Sequence, residues 1–157
     1  MSPTRVRPAT AEDRDFMFDQ APRLAAAAKL PWHVEGDLLR FQHRYMKASF
    51  ALPESQAASF VAESQAGLLG FVHVEASTDS VTREPCAYIA VLAVAESAQG
   101  HSVGSRLMEA VETWARQRGF RLIELDVFAN NQRARSFYAR HGYQEDSLRL
   151  TKPLSKR

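Results

Sequence analysis

The residues with the clearest capacity for chemistry lie in a short turn from Gln99 to Arg106. The turn contains Gly100 and Gly104, and most of its other residues are polar or basic. Backbone N–H groups in a glycine-rich turn and in the first turn of a following helix lack intrahelical partners, and the positive end of the helix dipole adds to their field. These residues therefore predict a site for an anion, most often a phosphate. A tight turn with only a structural role is the alternative that this stretch alone leaves open.

The segments around the turn have the patterns of the elements that would position it. Cys86 to Val94 is almost continuously apolar, as in a strand that is buried on both faces. The apolar spacing after the turn predicts a helix that ends at Gly119. Leu122 to Phe128 alternates as a strand, and Asn130 or Asn131 caps a shorter helix. Strand, helix, strand and helix in this order predict a parallel pair of strands joined by a crossover helix.

The rest of the chain predicts further strands and helices. These segments are a strand over Thr4 to Pro8, a helix over Ala11 to Lys29 with a break or kink at Pro22, a helix over Val34 to Lys47, a hairpin of strands over Ala58 to Ser64 and Leu68 to Ala76, and one or two final strands over Tyr143–Gln144 and Leu148–Pro153. Together the elements predict an α/β (α+β) fold with a mixed central sheet of about six to seven strands and about four helices.

Length and composition limit the functional classes. The chain has 157 residues, which we interpret as a single domain over residues 1–157. Its net charge is +2, without the clustered basic face expected of a nucleic-acid binder. No secretory signal and no apolar stretch of about 20 residues is visible, so we expect a cytoplasmic protein with no membrane partner. Cys86 is the single cysteine, which excludes an internal disulfide and a cysteine-rich metal site, and we expect no metal cofactor.

Two motifs resemble the signatures of the GNAT superfamily, the N-acetyltransferases that use acetyl-coenzyme A. The first family signature is Gln/Arg-x-x-Gly-x-Gly/Ala after an apolar strand. Gln99 to Gly104 is similar to it, except that Ser102 stands where the family usually has glycine. The second signature is Asn-x-x-Ala-x-x-x-Tyr followed by glycine and an aromatic residue, and Asn131 to Tyr138 with Gly142-Tyr143 resembles it. The resemblance covers nearly the whole chain in the right order, and it implies the GNAT fold, in which the parallel pair is splayed.

The resemblance implies acetyl-coenzyme A as co-substrate, with its pyrophosphate at the turn. Backbone N–H groups from His101 to Arg106 can converge on a pyrophosphate, and the side chains of Gln99 and Arg106 can add contacts. The pantetheine arm needs strand-like hydrogen bonds, which the backbone of Leu92 to Val94 beside a bulge is suited to provide. Asn131 would contact the arm from the other side. The predicted coenzyme-binding residues are Leu92, Ala93, Val94, Gln99, Gly100, His101, Ser102, Val103, Gly104, Ser105, Arg106, Asn131 and Tyr138.

Acetyl transfer to an amine needs a base for the amine proton, a donor for the tetrahedral oxyanion and a proton for the leaving thiolate. The resemblance implies direct attack by the bound amine, so Cys86 is not expected to form an acyl-enzyme. It also implies Tyr138 as the general acid, with a packed tyrosine of no catalytic role as the alternative. A backbone N–H near Leu92 or Ala93 would be the oxyanion donor.

The general base is defined less clearly. Some members of the family place a glutamate on the strand before the bulge, but Tyr88 to Val91 contains no carboxylate. His73 and Glu75 lie two residues apart on the preceding strand and therefore share one face. We assign His73 as the candidate base because its reference pKa is near neutral. An ordinary surface pair and a base made of water molecules stay open as alternatives.

The acceptor is predicted only as the primary amine of a small molecule or peptide. The candidate acceptor contacts are Trp32, His33, Glu35 and Glu75, and Phe41 and Tyr45 are further candidates to line the acceptor site. A non-catalytic module that binds acyl-coenzyme A is the alternative function. A P-loop hydrolase is disfavoured because no Gly-Lys-Ser/Thr follows the turn. The resemblance is compatible with a homodimer, although no feature of the sequence shows one.

Overall fold

The computed structural model describes residues 2–156, which form five strands and five α-helices. In chain order these are β1 Arg5–Pro8, α1 Arg14–Asp19, α2 Ala21–Ala26, α3 Asp37–Phe50, β2 Ala57–Ser64, β3 Gly67–Thr78, β4 Pro85–Val94, α4 Val103–Gln117, β5 Ile123–Leu125 and α5 Gln132–Arg140. Short 3-10 turns lie at Ala11–Asp13 and Glu96–Ala98. None of the described helices is both long and apolar enough to cross a lipid bilayer.

The five strands form one mixed sheet in the order β1-β2-β3-β4-β5. The first four strands pair antiparallel, and β4 pairs parallel with β5, from Ala87 opposite Ile123 to Ile89 opposite Leu125. This confirms the mixed sheet with a parallel pair. The parallel pairing ends at Ile89, whereas β4 continues to Val94, so the last part of β4 has no neighbouring strand on that edge. The splayed pair expected from the resemblance is therefore present.

A β-bulge at Ala90 interrupts β4 where the splay begins. His73 of β3 pairs with Val91, and Val74 pairs with Ile89, so Ala90 has no partner across the antiparallel ladder. Ile89 and Val91 would share one face of a regular strand, but they pack in two different cores of the protein. A bulge of this kind bends its strand and changes the direction of the backbone groups that follow.

The sheet is buried on both of its faces. On one face, α4 covers a core that includes Val72, Val74 and Leu107. On the other face, α1 to α3 cover a second core that includes Met46 and Phe71. Neighbouring residues of β3 thus point into different cores, as the alternation of a strand requires. β4 also contributes side chains to both cores, which explains its almost continuous apolar pattern. The predicted burial of β4 on both faces is confirmed.

The predicted helix over Ala11 to Lys29 is shorter than expected and divided. It begins as a 3-10 turn, and Gln20 separates α1 from α2. Pro22 lies in the first turn of α2, where its missing N–H removes no helical hydrogen bond. The break near the proline is confirmed, but α2 ends at Ala26. The next helix, α3, begins and ends three residues later than predicted.

The predicted number of strands is too high because the C-terminal strands do not form. Residues 144–156 have no regular secondary structure and are exposed, so the strands predicted over Tyr143–Gln144 and Leu148–Pro153 are wrong. A strand needs a paired edge as well as an alternating pattern, and no described strand pairs with this segment. The strand predicted over Leu122 to Phe128 is limited to β5. The chain turns after it toward α5, where the Asn131 N–H donates to the Phe128 carbonyl at 2.9 Å.

Candidate active site

The glycine-rich turn and the first turn of α4 form a cluster of open N–H groups. Gly100 has a φ of 81°, and Ser102, which precedes the helix, has a φ of 60° and a ψ of 16°. The Arg106 N–H donates to the Ser102 carbonyl at 3.1 Å. Within residues 2–156, the N–H groups of residues 100 to 105 donate no hydrogen bond. The turn therefore has the geometry of the anion site that its residue types predicted.

The side chains around this turn are placed only partly as expected. Gln99 accepts a hydrogen bond from the guanidinium of Arg133 in α5, which brings a positive charge beside the turn. Arg106 instead donates from its guanidinium to the Thr4 carbonyl at 3.1 Å. Both the N–H and the side chain of Arg106 are thus engaged within the protein, so a phosphate contact by Arg106 would require it to release Thr4. His101 is exposed.

Gly104 lies where α5 meets the first turn of α4. A Cβ atom at this position would lie 3.0 and 3.1 Å from two ring carbons of Phe137, closer than a side chain normally packs. One residue further on, the Ser105 hydroxyl lies 2.9 Å from Nε2 of His141, just past the end of α5. These contacts hold α5 against the start of α4, and they bring the second motif next to the first.

The open edge of β4 leads to the same turn. The N–H of Ala95 donates to the Leu69 carbonyl of β3 at 2.7 Å, and alternate residues of a strand direct their backbone groups to opposite edges. Leu92 and Val94 therefore direct theirs into the slot between β4 and the end of β5, whereas Ala93 faces β3. Of the two predicted oxyanion donors, only Leu92 is on the edge that faces the slot.

Arg23 of α2 reaches the end of this slot. Its Nη1 donates to the Val94 carbonyl and lies 3.4 Å from Oε1 of Gln20. A guanidinium charge is therefore held at the end of β4, shortly before the anion turn. Sequence reasoning missed Arg23, because an arginine in a helix gives no sign of a carbonyl partner 71 positions away.

Tyr138 and Asn131 are carried on α5 beside the slot. Tyr138 packs edge-on against Phe137 and Tyr143, with ring centroids 5.3 and 5.6 Å apart. Loss of solvation raises the pKa of Tyr138 to about 12, so the phenol keeps its proton at neutral pH. Asn131 accepts from the Ala134 N–H at 3.2 Å, which confirms it as the N-cap of α5.

Cys86 lies buried in β4. Burial, and then the neighbouring Glu124 carboxyl, raise the pKa of its thiol to about 11. A thiol that stays protonated is a poor nucleophile. The surroundings of Cys86 therefore agree with the expectation that it forms no acyl-enzyme.

His73 lies in the core beneath α3. Its Nδ1 is 2.6 Å from the Ser59 hydroxyl, and its ring contacts Phe50 edge-on at a centroid distance of 5.1 Å. Only 4% of the side chain is exposed, and the lost solvation lowers the pKa of His73 to about 4. A base of this strength, closed off from solvent, is poorly suited to take a proton from an amine. The structure thus weighs against the prediction of His73 as the base.

Glu75 belongs to a polar cluster at the level where the two parallel strands separate. It pairs with Tyr88 across the β3–β4 ladder, and burial raises the pKa of its carboxyl. Tyr88 donates to Asp126 at 2.6 Å and shares a hydrogen bond with Tyr45 of α3. Oε2 of Glu75 is buried, lies 3.7 Å from Nε2 of His73, and has no hydrogen-bond partner among the described residues. This polar cluster of Tyr45, Glu75, Tyr88 and Asp126 contains two residues, Tyr88 and Asp126, that sequence reasoning missed.

Aromatic rings from three segments contact one another next to this cluster, with which they share Tyr45. His33 contacts Trp32 and Phe128 at centroid distances of 6.0 and 6.3 Å. Phe41 of α3 contacts Phe128 at 6.5 Å and Tyr45 at 5.6 Å. These five residues form what we call the aromatic wall. Four of its members are candidates that the sequence predicted for the acceptor site, namely Trp32, His33, Phe41 and Tyr45, whereas Phe128 was not predicted.

Comparison with known proteins identifies the family. The model of the acetyltransferase (GNAT) family matches residues 21–143. The chain belongs to this family. It is 31% identical over 129 residues to the mycothiol acetyltransferase of Jonesia denitrificans, a match that covers 80% of this chain and 40% of that protein. Across the curated relatives, the matches cover between 40% and 64% of the relative's length.

Solved structures share the GNAT fold with this chain. A protein from Pyrococcus furiosus described as an acetyl transferase has a TM-score of 0.80 and 24% identity, covering 97% of this chain and all 100% of that one. A predicted acetyltransferase from Clostridium acetobutylicum, solved with acetyl-coenzyme A, has a TM-score of 0.71 and 16% identity, covering 97% of both chains. At these identities the likeness shows a common fold, and the GNAT fold expected from the two motifs is confirmed.

The GNAT fold brings most of the predicted coenzyme residues to one place. The turn, the slot edge at Leu92 and Val94, and α5 with Asn131 and Tyr138 adjoin one another. The predicted acceptor residues do not all lie together. Glu35 is exposed and makes no hydrogen bond or ion pair within the part of the chain that the structure describes. The roles of these residues stay predictions.

Proposed function

We propose that this chain is an acetyl-coenzyme A-dependent N-acetyltransferase that passes the acetyl group directly to a primary amine. The observation that carries this proposal is the row of open N–H groups at residues 100 to 105, next to the free edge of β4. A pyrophosphate needs several convergent donors, and a pantetheine arm needs strand-like backbone partners. The turn offers the first and the β4 edge offers the second. The common fold with the Clostridium protein that was solved with acetyl-coenzyme A supports the same coenzyme here.

Three groups of residues would then bind different parts of the coenzyme. The open N–H groups of the turn hold the pyrophosphate, with the charge of Arg133 beside them. Leu92 and Val94 bond the amides of the pantetheine arm. Arg23 has to release the Val94 carbonyl for this pairing, and its charge then stays close enough to the turn to pair with a phosphate.

The reaction exchanges a C–S bond for a C–N bond. The amine nitrogen attacks the thioester carbonyl, and the Leu92 N–H stabilises the oxyanion until the C–S bond breaks. Tyr138 keeps its phenolic proton at neutral pH and donates it toward the departing sulfur. The proton that the amine loses goes to a base, directly or through a water molecule.

Glu75 fits the role of this base better than His73. Its side chain is 21% exposed, against 4% for His73, so the amine or a water molecule can reach it. Burial raises the pKa of Glu75 and lowers that of His73 to about 4, so burial favours proton uptake by the carboxylate and opposes proton uptake by the imidazole. The buried, unpartnered Oε2 of Glu75 also has a free acceptor position.

The acceptor side suits an organic ammonium group that becomes the nucleophile after it loses a proton. Glu75 and Asp126 place two carboxyl groups at the point where the strands separate. The faces of Trp32 and Phe41 in the aromatic wall can add cation–π contacts to an ammonium ion. We therefore propose an acceptor that is cationic in solution, with the amine on a small molecule or peptide.

The test is release of free thiol from acetyl-coenzyme A in the presence of a panel of primary amines. The Tyr138→Phe variant is expected to lose about 100-fold in kcat, because the leaving thiolate loses its proton donor. Its affinity for acetyl-coenzyme A, measured by calorimetry, is expected to stay within about twofold, since a hydroxyl that only donates to sulfur in the transition state adds little to binding. Tyr143→Phe is the matched control and is expected to keep the wild-type kcat.

Two outcomes would lead away from this function. Binding of acetyl-coenzyme A without thiol release for any amine would favour the non-catalytic module that binds acyl-coenzyme A. No thermal stabilisation by excess acetyl-coenzyme A would contradict the coenzyme site itself, because a ligand that binds only the native state must raise the unfolding temperature.

A further inference from the structure

Two buried polar atoms on β3 face each other without a hydrogen bond. Nε2 of His73 and Oε2 of Glu75 lie 3.7 Å apart, and neither has a hydrogen-bond partner among the described residues. A buried polar atom without a partner is unfavourable, so most such atoms in native proteins are bonded. The gap is too short to hold a water molecule between them, because each of its two hydrogen bonds needs about 2.8 Å. The two atoms are therefore candidate partners for each other.

The sheet places a third polar side chain in line with this pair. The His73 ring contacts Phe50 of α3, and alternate residues of a strand share a face, so His73 and Glu75 lie side by side on the face that α3 covers. On β2, Ser59 pairs with His73, and its hydroxyl lies 2.6 Å from Nδ1 of the ring. Ser59, His73 and Glu75 thus form a row of polar side chains across two strands.

One arrangement of protons satisfies the whole row. A neutral imidazole carries its proton on one nitrogen, and the hydrogen-bond network decides which. With the proton on Nδ1, the bare Nε2 and the carboxylate Oε2 would be two acceptors facing each other. With the proton on Nε2, the ring donates to Oε2 of Glu75 and accepts from the Ser59 hydroxyl at Nδ1. An N–H···O bond needs about 2.9 Å, so the 3.7 Å gap has to close by about 0.8 Å.

The groups around His73 keep its ring neutral. Burial lowers the pKa of His73 to about 4, the Ser49 carbonyl of α3 opposes this shift, and the charge of Arg14 in α1 adds to it. At neutral pH the imidazole therefore carries a single proton. The Ser49 carbonyl is a competing acceptor for this proton, and a bond to Ser49 would leave the pKa of Glu75 independent of His73.

The titratable groups that face Glu75 from α3 and β4 are phenols. Tyr88 of β4 pairs with Glu75, and Tyr45 of α3 feels the charge of its carboxylate. Burial raises the pKa of both phenols, so both keep their protons at neutral pH. The Tyr88 hydroxyl donates its proton to Asp126, an exposed carboxylate, and not to Glu75. The ring of His73 is therefore the N–H donor placed to meet Oε2.

We propose that Ser59 and His73 are positioning residues for the Glu75 carboxylate. The Ser59 hydroxyl fixes the tautomer of His73, and the Nε2–H of His73 donates to Oε2 of Glu75. Oε1 then stays open toward the amine or a water molecule. This inference rests on the proposed role of Glu75 as the base, and His73 acts through Glu75 without touching the acceptor.

Two amide side chains that imitate different ring nitrogens test this pairing. Glutamine places its amide nitrogen near the position of Nε2, whereas asparagine reaches only to the position of Nδ1. His73→Asn therefore removes the donor to Glu75, and His73→Gln is the matched control that keeps it. Because a hydrogen bond to an ionised carboxylate lowers its pKa, His73→Asn is expected to raise the pKa of Glu75 by about one unit. Carbon-13 NMR of the glutamate carboxyls measures this pKa, and Glu75→Gln identifies the signal.

Nitrogen-15 NMR of the histidine rings determines the tautomer in the wild-type chain. At neutral pH the proton of His73 is expected on Nε2, and Ser59→Ala is expected to populate the Nδ1–H form as well. A proton on Nδ1 in the wild-type chain would overturn the proposal. So would an unchanged pKa of Glu75 in His73→Asn, or equal shifts of that pKa in His73→Asn and His73→Gln.

The pH profile of kcat/KM with one fixed amine connects the pairing to the reaction. In His73→Asn the acid limb is expected to move up by about one pH unit, and kcat is expected to fall about 10-fold as the carboxylate loses its orientation. His73→Gln is expected to keep the wild-type profile, and the KM for acetyl-coenzyme A is expected to stay unchanged in both variants. A purely structural histidine would lower stability in both variants without moving the acid limb.

The two measurements separate this proposal from the proposed function. A wild-type chain that released no thiol with any amine would contradict the function, and the NMR measurements would still decide whether His73 donates to Glu75. A wild-type chain that turned over, with an unmoved acid limb in His73→Asn, would leave the function intact and overturn the positioning role.

Discussion

Ser102 holds a backbone conformation that normally belongs to glycine. Its φ of 60° and ψ of 16° lie in the left-handed region, where a side chain costs about 1 kcal/mol or more. We expect Ser102→Gly to raise the free energy of unfolding by about 0.5–1 kcal/mol, because relief of this strain exceeds the entropy that a glycine adds to the unfolded chain. Urea denaturation measures the gain, and calorimetry is expected to show no loss of affinity for acetyl-coenzyme A.

Gly100→Ala is the matched reverse change. Gly100 has a φ of 81°, and no atom lies within 4 Å of an added Cβ, so the substitution changes conformational energy and little else. We expect Gly100→Ala to lower the free energy of unfolding by about 1 kcal/mol. A Ser102→Gly variant that is less stable than wild type would contradict the strain and would mean that the Ser102 hydroxyl stabilises the turn by more than the backbone costs.

As the proposed base, Glu75 would give the site a pH dependence that can be tested. A carboxyl acts as a base only when ionised, and burial raises the pKa of Glu75 above its usual 4.5. We therefore expect kcat/KM to fall on acidification at a higher pH than an ordinary glutamate would give. Glu75→Gln is expected to lower kcat/KM by about 100-fold and to remove this part of the pH profile.

The acceptor's own ammonium group titrates in the same way in every variant, so a comparison with one fixed amine isolates the contribution of Glu75. Glu109→Gln is the control, because Glu109 is an exposed carboxylate on α4 and is expected to leave the profile unchanged. A Glu75→Gln variant with the wild-type rate and profile would mean that the amine proton leaves by another route.

At the scale of elements, the proposed coenzyme site depends on how α5 is held against α4. Gly104→Ala would place a methyl group 3.0 Å from the Phe137 ring and push the two helices apart. We expect a loss of about 1–3 kcal/mol in stability from overpacking, together with weaker binding of acetyl-coenzyme A, because Asn131 and Tyr138 move with α5. Calorimetry with acetyl-coenzyme A measures the second effect.

A second substitution in the same contact separates packing from other causes. Phe137→Leu removes the ring that the added methyl group would contact. The double variant Gly104→Ala with Phe137→Leu is therefore expected to lose less stability than the two single variants lose in sum. If the stability losses of the two single variants were strictly additive, the contact between residue 104 and the Phe137 ring would not be the cause of the loss in Gly104→Ala.

Helix ends that depend on a local sequence signal could be predicted from the sequence. Asn131 caps α5 as its position in the motif indicates, and Gly119, with a φ of 73°, follows the end of α4. Leu148 and Leu150 also have a clear local pattern, but an alternating segment becomes a strand only where an edge is available to pair with it. That edge is a property of the assembled sheet, and no local pattern encodes it.

At the scale of the whole molecule, the two halves of the site differ in how far they could be predicted. The proposed coenzyme half consists of two contiguous motifs that lie side by side in the fold. The proposed acceptor half consists of residues far apart in sequence, such as His33 and Phe128, which come into contact only after folding. Tyr88 shows the same difficulty, because its place in an apolar strand suggests core packing, whereas its hydroxyl donates to Asp126.

Asn130 links the two distant parts of the acceptor half. Its Nδ2 donates to the Lys29 carbonyl at 2.7 Å, across 101 positions of the chain, and so ties the segment after β5 to the segment before Trp32. The bond is exposed, so Asn130→Ala is expected to cost no more than about 1 kcal/mol in stability. We expect the KM for the amine to rise several-fold, about 3 to 10 times, because the aromatic wall loses its tether, while the KM for acetyl-coenzyme A stays unchanged.

The neighbouring Asn131→Ala variant supplies the opposite pattern. Asn131 caps α5 through the Ala134 N–H, so its loss is expected to weaken acetyl-coenzyme A binding and to leave the KM of the amine nearly unchanged. Steady-state kinetics with both substrates varied measures the two constants for each variant. If Asn130→Ala raised both KM values equally, the aromatic wall and the coenzyme slot would move as one unit, and the division of the site into two separately held halves would be wrong.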